Sequence, residues 1–289
     1  LCGGKFHVTA LTLDPAARTI ARGEQSVVLD ADSLAIFEPL TSGLGADVVQ
    51  RRRTILGPLG KPSNADLDEM TIAANASGLG PDVPSLHGPA LHLVEIADVL
   101  CSEDHGGILR QHGAIDAVIS LCGQHQAGLG GGVFVVVGVA DRYARTIMAA
   151  KGVLANERKS AFLIYRPYHL CGVETPISIL GAGLLQLPTG AREYLPRFDV
   201  VVRATADMSA GDSLGGELKQ PKLETIVVPS QPLVNGGPLP RHMAYGCPLR
   251  ADVAGGTIIT ADHVFPPGDS SLWSLRARQD SEFLSRADG

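Results

Sequence analysis

Four side chains close together in this sequence have types that chemistry uses: Arg166, Tyr168, His169 and Glu174, within AFLIYRPYHLCGVETPISILGAGLLQ at 161–186. Arginine offers a planar, forked cation, histidine titrates near neutrality, and ionised glutamate only accepts hydrogen bonds. Together they could bind an anionic oxygen and move a proton. The same set could instead tie down a connection, as an Arg–Glu pair beside a packed Tyr and His. The flanking residues suggest how the four are positioned. FLIY at 162–165 is an apolar run of buried-strand length, and Pro167 ends it because proline has no N–H for a ladder. Thr175 and Pro176 read as N-cap and first residue of an apolar helix over 177–186. The four would then occupy a turn at the carboxyl end of a strand, where α/β folds keep reactive groups.

Other candidates come from the remaining chain. Lys5 follows Gly3 and Gly4, too few residues for a phosphate loop; it is either a frayed terminal lysine or a site residue. SVVLDADSLAIF at 26–37 reads as a strand, a turn and a short helix, and Arg51, Arg52 and Arg53 as a solvated helix end. Asn64 caps a helix with Asp66, Asp68 and Glu69 in its first turn, and Gly78 closes it. His87, His92, Cys101, His105, His112, Cys122 and His125 are metal-ligand types, but their spacing fits no common zinc module, so no metal is expected. The glycines at 128–132 precede VFVVVG at 133–138, the reverse of a phosphate loop. They read as a hairpin connection into a buried strand, with a short helix over 141–148 beyond.

Composition narrows the classes. The 289 residues carry a net charge of −6 with only 4% aromatics, which argues against nucleic acid as a partner. No apolar window reaches membrane-spanning length. Five scattered cysteines make a disulfide framework unattractive and a reducing cytoplasm the simplest setting. The chain starts at Leu1 without a basic leader, which reads as a fragment. After about residue 195 the pattern changes. DMSAGDSL at 207–214 is echoed by DVAGGTII at 252–259, each with an Asp for a turn and a Gly for positive φ. The expected organisation is α+β: a mixed α/β domain over 1–195, a small mainly β domain over 196–268, and a packing helix with tail over 269–289.

Several strings resemble one family. YRPYHL, PISIL, EMTIAANASGL, GGIL and GGGVFVVVG are similar to the catalytic domain of homoserine-dehydrogenase-like, deoxyxylulose-phosphate-reductoisomerase-like oxidoreductases. The echoed motif with TADHV at 260–264 resembles the C-terminal SAF, or β-clip, module of that group. The resemblance implies an NADPH-dependent oxidoreductase or reductoisomerase acting on a small phosphorylated, sugar-like substrate. Its dinucleotide-binding domain would be missing from these residues, leaving no cofactor-binding residue here. Lys5 falls where the family places a catalytic or substrate-binding lysine. Arg166 and Tyr168 would bind substrate, with Lys5, Arg166, His169 and Glu174 as the catalytic set. Self-association into a homo-oligomer stays open. The alternatives are a non-catalytic binder of carbohydrate-like ligands and a degenerate remnant.

Overall fold

The computed structural model describes residues 1–40, 44–187, 190, 193–215 and 222–284. Pro188, Thr189 and Arg192 of the expected linker, and Ser285 of the tail, lie outside the described residues. Helices and strands are mixed, as an α+β fold requires. The chain forms two compact units. The first comprises residues 1–66 and 78–192, the second 67–77 and 193–289. The second unit thus includes most of a helix from the middle of the chain.

The first unit is built on one mixed sheet. Its strands are β1 (Cys2–Phe6), β2 (Leu11–Asp14), β3 (Thr19–Arg22), β4 (Gln25–Val28), β5 (Gly80–Pro81), β6 (Ala90–Leu91), β7 (Ala114–Gly123), β8 (Gly131–Gly138) and β9 (Ala161–Tyr168). The order is β4-β3-β2-β7-β1-β8-β9, with β5 and β6 also pairing to β7. Helices α1 (Ala31–Phe37), α2 (Ala46–Leu56), α4 (Ile96–Val99), α5 (Arg142–Ala150) and α6 (Cys171–Leu185) belong to this unit, and α3 (Asn64–Ser77) begins in it. AIDAVISLCG makes a central strand because nearly every residue can be buried; the first nine are.

Three expectations need correction here. The 128–132 glycines do not make a hairpin, because β1 lies between β7 and β8, parallel to the first and antiparallel to the second. The glycines let the chain pass closely over the end of β1: a Cβ on Gly130 would stand 2.5 Å from the Val8 carbonyl oxygen. Nor is β8 buried on both faces, since Val133 and Val135 are exposed while Phe134 and Val136 are buried. Pro167 does not end β9. That strand is the sheet edge, where a missing N–H can face outward without breaking a ladder bond.

The second unit is smaller. Its only regular ladder among the described residues pairs β10 (Phe198–Ala204) with β11 (Leu223–Pro229), antiparallel. The echoed motifs face one another. Met208 and Val253 exchange backbone hydrogen bonds, the Asp207 carboxylate accepts the Gly255 N–H, and the Asp252 carboxylate accepts the Ala210 N–H. Gly211 and Gly256 both have positive φ, 86° and 91°. Helices α7 (Arg241–Ala244) and α8 (Ser271–Gln279) complete this unit. Trp273 packs on its core, and buried Arg276 joins Asp199 to Asp280.

Candidate functional site

Strand register decides which candidate side chains share a face. Lys5 pairs with Ala117 of β7 and Val133 of β8, and Val133 pairs with Arg166 of β9. Paired residues point the same way, so Lys5, Val133 and Arg166 form one row across three strands. Two interstrand steps separate the cations' backbones by about 10 Å.

At one end of the row Lys5 is buried, and its Nζ lies 3.2 Å from Asp66 Oδ1. Asp66 also closes a capping arrangement: its carboxylate accepts the N–H and hydroxyl of Ser63, each at 2.8 Å, and the Ser63 hydroxyl accepts the Asp66 N–H at 3.2 Å. Ser63, rather than Asn64, therefore caps α3. His7 Nε2 stands 3.5 Å from Asp66 Oδ2, while His7 Nδ1 accepts the Thr9 N–H. Burial pushes the His7 imidazole below its ordinary pKa, and the nearby Arg22 and Lys5 cations add to this against the opposing pull of Asp66. Arg22 shares the neighbourhood; its Nη1 is buried without a hydrogen-bond partner, and burial lowers its pKa against the charge of Asp66.

At the other end Arg166 forms an ion pair with Glu174. Glu174 Oε2 accepts the Leu170 N–H at 3.2 Å, and His169 Nε2 lies 3.9 Å from it. The structure thus brings Arg166, His169 and Glu174 together, but not in the turn expected. Arg166 and Tyr168 are on β9, and α6 starts at Cys171, so Glu174 is in a first helical turn and Pro176 is inside the helix. The proline is tolerated because Gly172, whose carbonyl loses its intrahelical donor, is exposed to solvent. Tyr168 stands at the end of β9, half-exposed and opposite Gly131.

The sequence offered Asp66 only as a first-turn acid of α3, and His7 and Arg22 not at all. Only Asp66 left a local trace, as the last residue of the Ser63-x-x-Asp66 cap. Four of the histidines weighed as metal ligands meet different partners: His87 meets Asp82, His92 the Phe37 carbonyl, His105 Ser160 and His112 Asp104. Among the described residues no group of three His, Cys, Asp or Glu converges to hold a metal.

The sheet therefore carries two cations in one row, each with a carboxylate and an imidazole close by. By comparison with known proteins, residues 64–175 match the family described as the catalytic domain of the oxidoreductase DRL. That segment contains Asp66, Arg166, His169 and Glu174, and it supports a general oxidoreductase role. No curated protein matches the chain. No helix among the described residues is long and apolar enough to cross a membrane.

Proposed function

We propose that the first unit is the substrate-binding half of an NADPH-dependent oxidoreductase or reductoisomerase that acts on a small phosphorylated, sugar-like molecule. The observation that carries this reading is the Lys5–Arg166 row, adjoining and partly inside the segment with the oxidoreductase match. Arg166 presents a fork suited to a phosphate or phosphonate oxygen pair, and the incoming anion would displace Glu174 from it. Glu174, released beside His169, can then take or return a proton. About 10 Å away, Asp66 orients the Lys5 ammonium toward the substrate's far oxygens, and uncharged His7 can accept a proton there. The nicotinamide would be supplied by a dinucleotide-binding domain outside the described residues. The second unit, with its reciprocal pair of Asp–Gly turns, is read as an SAF-like module.

Calorimetry with a pentose 5-phosphate tests the anion end directly. Arg166→Ala should weaken binding by about 10-fold or more, as loss of a charge-assisted contact does. Arg51→Ala, an exposed change on α2, should leave it unaltered. Equal effects of the two would remove Arg166 from the site.

A further inference from the structure

The same sheet carries a feature that the proposed reaction does not use. An open cavity of about 890 Å³ has Ser120 and Cys122 of β7, Tyr165 and Tyr168 of β9, Leu93 and Gln126 in its lining. Register sets Ser120 and Tyr165 apart from the cation row, while Leu121 and Tyr168 of the lining fall on the row's side. Ala117 pairs with Lys5, so Ser120, three residues on, points the other way. Tyr165 pairs with Phe134, and Phe134 with Gly4, again on the face opposite Lys5.

The lining has a definite chemistry. Among the described residues no Lys, Arg, Asp or Glu contributes to it. His92 is in the wall, but its Nε2 is held by the Phe37 carbonyl. The Cys122 thiol donates to the Leu11 carbonyl. Ser120 differs from these. It is 2% exposed, it lines the cavity, and its hydroxyl has no hydrogen-bond partner among the described residues. A hydroxyl that lines a cavity and has no protein partner is open to a ligand's hydrogen-bonding group. A charged ligand would lose hydration with no opposite charge to replace it. A flat ring would gain the Tyr165 face and the apolar wall. The volume is that of a small-molecule site, typically about 300–1,000 Å³.

We propose that this cavity binds an uncharged, ring-bearing small molecule with one hydroxyl, carbonyl or amide directed at Ser120. The site shares Tyr168 with the strand end that carries Arg166, but its polar contact comes from Ser120 on the other face.

The test is a fluorescence titration of the full chain at pH 7 with 2-naphthol, set against its anionic counterpart 2-naphthoate. Naphthol should bind saturably at one site, and naphthoate at least about 10-fold more weakly. Ser120→Ala should weaken naphthol about 5-fold, the effect of one hydrogen bond. Ser120→Leu, which also fills the floor, should abolish binding. If the leucine variant does not fold, the alanine variant and the naphthol-to-naphthoate ratio still decide. An apolar probe could also adsorb to α6, where Ile177, Leu180 and Leu184 are more than half exposed. Leu180→Glu should therefore leave the titration unchanged. Binding lost in Leu180→Glu, unaffected by Ser120→Ala, or as tight for naphthoate would overturn the proposal. Arg166→Ala should not change naphthol binding, so failure here is distinguishable from failure of the sugar-phosphate reading.

Discussion

Arg52 pairs with Glu95 with neither side chain exposed at all, whereas Arg166 pairs with Glu174 while its own side chain is 64% exposed. Both pairs join an arginine to a glutamate in the same unit, yet their hydrogen bonding differs completely. Every donor direction of Arg52 is used: Nε to the Ile36 carbonyl, Nη1 to Ala90 and Glu95, Nη2 to Glu95 and Glu38. Glu95 in turn accepts the N–H groups of Leu40 and His92. Arg166 has Glu174 as its only partner among the described residues. A saturated, dry pair fixes the fold and has nothing left for a ligand. An unsaturated pair at the surface can exchange its partner for a substrate anion at little cost to the fold.

The largest effect that would break this contrast is at the buried pair. Glu95→Gln removes the charge that compensates Arg52 and should destabilise the protein by about 3–5 kcal/mol, read from the urea midpoint at constant slope. Replacing both residues with methionine should recover much of that loss, because two well-packed apolar side chains avoid desolvation altogether. A loss below about 1 kcal/mol for Glu95→Gln would mean that the pair is hydrated like a surface bridge.

His7 gives a smaller, pH-dependent signal between these extremes. Its folded pKa lies below the ordinary imidazole value, mainly through burial, so the unfolded chain binds the proton more readily. The sign follows: stability from this group is complete above about pH 6.5, the unfolded value, and declines as pH falls toward the depressed folded value. Unfolding free energies measured from pH 7.5 downward should show that decline, and His7→Gln should flatten it. An unchanged slope in the variant would assign the decline to other groups.

How much of this was readable beforehand depends on the range of the physics involved. Ile115 to Leu121 read locally as a strand with alternating faces, whereas the fold buries both faces, and the short helix read over 141–148 is α5, capped by Asp141. The doubled Asp–Gly motif was visible as a repeat, but the exchange of Asp207 and Asp252 between copies spans more than forty residues. Arg52 looked solvated because its acceptors lie as far as 43 residues away, and nothing near it in the chain signals burial. The position of β1 between β7 and β8 is equally non-local, and it turned Lys5 from a terminal residue into a central one. Proline misled twice, at 167 and at 176, because an edge strand and an exposed helix each tolerate it. Of the candidate site, Arg166, His169 and Glu174 were legible as a cluster. Asp66 was legible only as a first-turn acid of α3, and His7 and Arg22 not at all.

The smallest expected effect sharpens the comparison most. If the Arg166–Glu174 pair exists to be exchanged, it should contribute almost nothing to folding. Arg166 is mostly exposed, so solvent screens the pair, and holding two long side chains together costs entropy that offsets much of the attraction. Arg166→Ala should therefore shift unfolding by less than about 1 kcal/mol, several-fold below Glu95→Gln. A double cycle with Glu174→Ala should return a coupling within the same limit. If Arg166→Ala proved as damaging as Glu95→Gln, the pair would be anchoring α6 to β9, and its loss of sugar-phosphate binding could no longer be read as a lost ligand contact.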